Sequence, residues 1–267
     1  MGATAGQLEL DHIRRWLVEE LPLRRWPGAV VDANPERVVE FRPSWPVAGP
    51  NGVRVLRCSS ARLAAVVEEV REMARRQGVG MVWMLDEESH RHEAALRELG
   101  MTGDTVTTEL ALASEPAAAE LPPDTSFRDG LSSLAAFRDH LLAVEGGFRN
   151  DDSGGEPPGQ LERRYQEHLE RPGFHLVTAL VAGVPAGGGE VAVWPDAARL
   201  GGGALLPRFR GRGVYWALVS ERIRRARAAG AALITTNARP DTSGPILRRL
   251  GFVPVSSRWV LLDPVVP

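Results

Sequence analysis

Two stretches of this chain end in the same order of elements, and that repetition constrains the fold more than any other feature of the sequence. In the first, an amphipathic run over residues 61–77 stops at Gly78, then come an apolar strand (80–85), a short helix (89–99), Gly100-Met101 and a strand (106–112). In the second, a run over 214–229 stops at Gly230, then come a strand (231–236), a short helix (242–250), Gly251-Phe252 and a strand (256–262). From Gly78 to Gly100 is 22 positions and from Gly230 to Gly251 is 21, a match that points to a duplicated unit. In each unit the first glycine has the left-handed C-cap role.

Upstream in the second half the pattern gives a strand at 126–129, helices at 131–144 and 160–170, and strands at 174–181, 188–194 and 199–206. Short turns between those last strands imply antiparallel pairing, whereas strand, helix and strand from Arg199 through Thr236 imply one parallel crossover. The expected class is therefore α/β, a mixed and mostly antiparallel sheet flanked by helices, in two tandem domains. At the crossover, parallel neighbours splay and leave a crevice suited to a ligand. Residues 113–124, rich in Pro, Ala and Glu without periodicity, hold the expected linker (114–123) between domains at 1–113 and 124–267. A second low-complexity stretch, 146–159, reads as a mobile surface loop.

Composition removes several classes of protein. All 32 basic residues are arginine, so the phosphate-cradling lysine of a P-loop NTPase and the Schiff-base lysine of a pyridoxal-phosphate enzyme are both missing. A single cysteine, Cys58, allows no disulfide within the chain and argues against a thiolate metal site, which fits a reducing cytoplasm. His90 and His92 lie two positions apart on a helix and share no face, so no metal is expected there. The formal net charge of -2 gives no general attraction for nucleic acid or an anionic membrane, and no apolar run reaches membrane-spanning length. Arginines crowd the ends of the two long helices (Arg71, Arg75, Arg76; Arg222, Arg224, Arg225, Arg227), where the dipole favours cations, and they read as a solvated face.

One loop has no such plain explanation. Between an apolar strand and a helix stands Pro207-Arg-Phe-Arg210-Gly211-Arg212-Gly213-Val214-Tyr215-Trp216. Cations at the positive end of a helix dipole are unfavourable by a few tenths to about 1 kcal/mol each unless an anion binds there. Gly211 and Gly213 remove the Cβ atoms that would hold a phosphate away from the amides, and the arginines offer charge-assisted bonds.

This segment resembles the acetyl-CoA loop of the GCN5-related N-acetyltransferase (GNAT) family, an apolar strand and often a proline before Arg/Gln-x-x-Gly-x-Gly/Ala. Gly251-Phe252 after a short helix is similar to the family's closing motif, and together the features cover about residues 174–262. The resemblance implies that Leu205 and Leu206 pair with the pantetheine arm. It places the pyrophosphate on amides from Arg210, Gly211, Arg212, Gly213, Val214, Tyr215 and Trp216. Tyr215 departs from the Gly or Ala of the pattern, so either the pocket differs there or the ring points away. A frame shifted to Arg208 fits the glycines better but lies nearer the strand, and the first frame is preferred. The first half has Arg54-Val-Leu-Arg-Cys-Ser-Ser-Ala-Arg62 where the loop would be, and resembles a transferase half that has lost coenzyme binding and supports the acceptor pocket.

Acyl transfer from a thioester to an amine needs a base for the amine proton and an acid for the thiolate. Many members use a tyrosine just before the Gly-Phe pair; Leu247 stands there. Glu190 is the leading base candidate. Asp241 and Ser243 follow, though Thr242 or Ser243 is also an ordinary N-cap. Trp83, Trp194 and Trp259 read as packing residues. The expectation is an N-acyltransferase, a monomer or homodimer, that moves an acetyl or other acyl group from acetyl-CoA or another acyl-CoA, without a metal, to a small-molecule or protein amine. The alternatives are a non-catalytic coenzyme-binding or small-ligand-binding module and, last, a nucleic-acid binder working through the arginine helix.

Overall fold

The computed structural model describes residues 5–21, 29–43, 48–116, 120–149 and 159–264. Contacts group the chain into two compact units, Met1–Glu109 with Pro254–Pro267, and Leu110–Val253. The closing strand, read in the sequence as part of the second half, thus belongs with the first unit from Pro254 onward.

The first unit opens with α1 (Ala5–Arg15), then the strands β1 (Val30–Asn34), β2 (Arg37–Phe41) and β3 (Gly52–Leu56), which the sequence reading did not delimit. After these come α2 (Leu63–Gln77), β4 (Met81–Leu85), a short 3-10 turn over Ser89–His92, α3 (Glu93–Glu98) and β5 (Thr102–Leu112). Gly78 caps α2 in the left-handed conformation (φ 64°), which satisfies its last carbonyls. β3 and β4 run parallel about α2, so this half repeats the crossover expected of the second.

In the second unit β6 (Thr125–Asp129), α4 (Leu134–Arg149) and α5 (Gln160–Leu169) precede three antiparallel strands, β7 (Phe174–Val181), β8 (Val184–Val193) and β9 (Ala197–Leu205). Then come α6 (Val214–Ala228), β10 (Leu233–Ala238), α7 (Ser243–Arg249) and β11 (Phe252–Asp263). The neighbour order in the first unit is β1-β2-β3-β4-β11-β5 and in the second β10-β9-β8-β7-β6, mixed sheets of the expected class. The low-complexity stretch needs correction at its start: Gly146 and Gly147 are buried within α4, because Gly147 lies against Ala204 and Leu205 where a side chain would not fit. Residues 150–158 of that stretch and 117–119 of the linker lie outside the described residues.

The solvated reading of the helix arginines also fails at two of them. Arg71, on α2, is buried and grips both carboxylate oxygens of Asp263 on β11 at 2.9 and 3.1 Å, and donates to Leu99 O at 2.7 Å. Asp263 also accepts from Trp83 Nε1. β11 joins the first unit through this pair and through antiparallel register with β4, Trp259 opposite Leu85 to Asp263 opposite Met81. Removing one partner of such a pair leaves an uncompensated buried charge, at a cost of about 3–5 kcal/mol. Asp263→Ala is therefore expected to lower the urea midpoint by that order of stability, whereas Asp11→Ala, at a half-exposed surface pair, leaves it unchanged.

Candidate active site

β9 outruns its parallel partner. The register with β10 extends from Ala197 opposite Leu233 to Leu200 opposite Thr236, while β9 continues to Leu205 and β10 to Ala238. From Gly201 onward a gap therefore opens between the two strands at their carboxyl ends, the crevice expected at a parallel crossover. Thr236 closes its inner end by donating to Leu200 O at 2.9 Å.

The tip of α6 stands beside this gap. Gly213 is its N-cap, at φ 77°, without any side-chain cap bond, and the first bond into the helix runs from Ala217 N–H to Gly213 O. The N–H groups of Gly211 to Trp216 therefore precede the helix ladder, as helix starts require. Gly211 (φ 73°) and Gly213 take positive φ on either side of Arg212, which does not. Such alternation turns successive amides toward one concavity able to hold an anion.

The loop arginines divide. Arg210 turns inward, donating from Nε to Leu205 O at 3.0 Å and from Nη2 to Gly147 O at 2.6 Å, so it braces the loop against β9 and α4. Arg208 lies over the Phe209 ring, and Arg212 is exposed. Leu205 and Leu206 are buried; the Leu206 amide donates to Ala186 O at 2.9 Å, and its carbonyl accepts from Phe209 N–H. The missing Cβ of Gly213 faces Pro122, at 3.3 Å, so a side chain at 213 disturbs the backbone and the 122 contact together.

Behind the gap sits a residue that the sequence reading misplaced. Arg222 is buried, not solvated: Nε and Nη2 donate to Glu190 O at 3.1 and 2.7 Å, and Nη2 also to Gly201 O at 2.6 Å. Burial lowers its pKa to about 10. Its guanidinium takes the room that side chains at 189 and 203 would need, a Cβ there falling 2.7 and 2.8 Å from it. The register of β8 on β9 slips between Gly188 and Glu190 at this point. The available signal was the apolar stripe Val219, Ile223, Ala226, which carries Arg222 on the same helix face, opposite two glycine triplets.

Glu190 lies on β8 opposite Gly201, and its carboxylate spreads over the slack in β9: a Cβ on Gly201 or Gly202 would stand 3.2 or 3.3 Å from its oxygens. Arg164 of α5, buried, lies 3.7 Å from Glu145 of α4 and within electrostatic reach of Glu190; burial depresses its pKa. Tyr215 brings its hydroxyl 3.3 Å from the Cβ position of Gly203 and hydrogen-bonds Ser243, the first residue of α7. The ring therefore turns toward the sheet. Asp241 is exposed in the turn before α7, Thr242 holds the N-cap position without a side-chain bond, and Leu247 is buried in the core. The Trp216 side chain lines a groove of about 730 Å³ with Leu121, Pro122 and Phe127.

The first unit has the same gap in a closed form. Register between β3 and β4 covers Gly52 with Val82 and Val53 with Trp83; beyond it Arg57 pairs with Asp86 at 2.5 Å. Burial pushes the Asp86 carboxyl up, but bonds from Arg57 and Ser89 outweigh it and hold it below the usual range. His92 is bonded to Cys58 O at 3.1 Å, and His90 stacks on Trp259. No group of metal-ligating side chains occurs among the described residues. No described helix is long and apolar enough to cross a membrane.

Residues 141–252, under half of the chain, match the acetyltransferase (GNAT) family. Among solved structures, the chain resembles a GCN5-related N-acetyltransferase from Kribbella flavida (17% identity, 98% of this chain and 97% of that one, TM-score 0.62). It also resembles one from Sphaerobacter thermophilus (16%, 96% and 85%, TM-score 0.61). A tandem GNAT protein from the clavulanic acid biosynthesis pathway aligns over 100% of this chain and 91% of that one, at 15% identity and TM-score 0.55. These identities speak to the fold, and among curated proteins none matches.

His140 of α4 packs under the site, with Nδ1 3.0 Å from Thr178 Oγ1, and burial, with the nearby His168, Arg222 and Arg128 charges, lowers its pKa to about 3. A histidine depressed in the folded state gives up stability as pH falls below its unfolded value near 6.5. Between pH 6.5 and 5 the urea-derived stability is expected to fall at up to about 1.4 kcal/mol per pH unit, with a flatter slope in His140→Gln.

Proposed function

We propose that the second unit is an N-acyltransferase that takes its acyl group from acetyl-CoA or another acyl-CoA and delivers it to an amine. The gap between β9 and β10 beside the open tip of α6 carries this reading. Its shape suits a narrow arm ending in a diphosphate: strand backbone along one wall, unpaired amides at the mouth, and Arg212 exposed beside them. The co-substrate supplies an activated acyl thioester.

Glu190 then serves as base. Its carboxylate lies over Gly201 and Gly202 at the point where β9 leaves β10, with the Arg164 guanidinium within electrostatic reach. It accepts the proton that the attacking amine loses. Arg222 fixes the Glu190 backbone, so the carboxylate is held on a strand position rather than on a loop. The first unit, its own gap bridged by Arg57 and Asp86, serves as a support without a coenzyme.

Free-thiol release from acetyl-CoA in the presence of an amine panel tests the reading. Turnover by the full chain, with Glu190→Gln lowering kcat roughly a hundredfold or more, supports it. Coenzyme binding without thiol release from any amine would favour the non-catalytic module instead. Arg212→Glu, at an exposed position, is expected to raise the coenzyme Kd by roughly tenfold, about 1.4 kcal/mol, with an unchanged melting temperature by calorimetry. Unaltered Kd would remove the loop from the binding site.

A further inference from the structure

The structure places a half-buried phenol at the crevice that the reaction as described leaves without work. Tyr215 stands in the first turn of α6, its ring packed against the core of the second unit and its hydroxyl at Gly203, in the stretch of β9 that has parted from β10. Three elements meet at that oxygen. β9 contributes Gly203, whose missing side chain leaves room for it; α7 contributes the Ser243 hydroxyl; and α6 contributes the Arg222 guanidinium one face-turn further on. Leu247, at the position where many relatives carry a tyrosine, is buried and has no proton to give.

We infer that Tyr215 is the general acid of this transferase, donating its phenolic proton to the departing thiolate, with Ser243 as its hydrogen-bond partner. The inference rests on the acyltransferase reading above. In the step, the amine nitrogen forms a bond to the acyl carbon and the carbon–sulfur bond breaks. Glu190 takes the amine proton, and the sulfur takes the Tyr215 proton. Water returns a proton to the phenolate and removes one from Glu190, so the sum is amide plus free thiol, with no further reactant.

The surroundings suit this role. Burial holds the phenol protonated above its ordinary range, so the donor is loaded at neutral pH. Arg222 and the Ser243 bond act the other way and steady the phenolate once the proton has left. Base and acid also approach from different sides. A side chain at Gly188 would meet His140 of α4, and one at the next residue, Gly189, would meet Arg222 of α6, so the two helices cover opposite faces of β8. Glu190 is coupled to Arg164 on α5, whereas the Tyr215 hydroxyl lies with Arg222.

The chain has two tyrosines, Tyr165 and Tyr215, and Tyr165 donates to Leu131 O in α5's own packing. The full chain is assayed for acetyl-CoA thiol release as wild type, as Tyr215→Phe, and with the one remaining tyrosine, Tyr215, replaced by fluorotyrosine in a Tyr165→Phe background. Expected are a kcat lowered roughly a hundredfold in Tyr215→Phe with KM for acetyl-CoA within about twofold, and an alkaline limb of the kcat profile moved to lower pH by fluorination. The charged group facing the phenol, Arg222, and the phenol's hydrogen-bond partner, Ser243, are unchanged in both, so a moved limb reports the phenol itself. If Tyr215→Phe does not fold, the fluorinated protein still decides: an unmoved limb overturns the inference. A folded Tyr215→Phe with kcat within threefold of wild type overturns it too, while leaving the transferase reading intact. A wild type that releases no thiol with any amine overturns both.

Discussion

The second unit is organised around one buried cation. Arg222 ties the carbonyls of Glu190 and Gly201, one on each of two adjacent strands, through a guanidinium out of reach of bulk water. A charge so placed must be satisfied, and the backbone carbonyls satisfy it only if the strands yield space. That requirement accounts for the glycines at 189 and 203, where any side chain would strike the guanidinium, and for the slip in register between β8 and β9. The slip falls where β9 leaves β10. A single arginine thus sets the strand path that opens the crevice and fixes the backbone of the carboxylate that overlooks it.

The two units show what the same crossover does with and without that arrangement. In the first, the strands part after Val53 and Trp83, and a short Arg57–Asp86 ion pair spans the opening, backed by the Ser89 hydroxyl. No glycine pair precedes α2, whose N-cap is Arg62 in a helical conformation. In the second, Gly211 and Gly213 supply the positive φ angles that turn amides outward. The same crossover is bridged by an ion pair in one case and faces a helix start without a side-chain cap in the other.

Much of this was legible in the sequence because it follows from local periodicity. The crossover around α6, the glycine caps, the start of that helix at Gly213 and the strand ends near Leu205 all come from spacing and turn chemistry. Where the reading failed, the deciding partner was distant. Arg222 and Arg71 look like any cation near a helix end until the carbonyls of Glu190 and the carboxylate of Asp263 are in place, 32 and 192 residues away. Gly146 and Gly147 read as loop because glycine disfavours helices, yet in α4 they allow the helix to approach β9. The grouping of the last strand with the first unit likewise depends on its register with β4, which no local pattern encodes.

Tyr215 shows how a departure from a motif can carry information. A small residue at that position would leave the first turn of α6 open toward the sheet. The tyrosine fills that space without blocking the helix tip, because its ring runs toward Gly203 and leaves the amides of the loop clear. Gly203 and Tyr215 therefore form one unit: the glycine on the strand makes room for the phenol from the helix, and Ser243 at the start of α7 fixes its oxygen. With Leu247 buried in the core, a phenol at the crevice comes from the N-terminal turn of α6 and not from α7. In the proposed reaction this moves the proton donor to a different element while keeping it beside the bond that breaks, which is the geometric condition that proton transfer imposes.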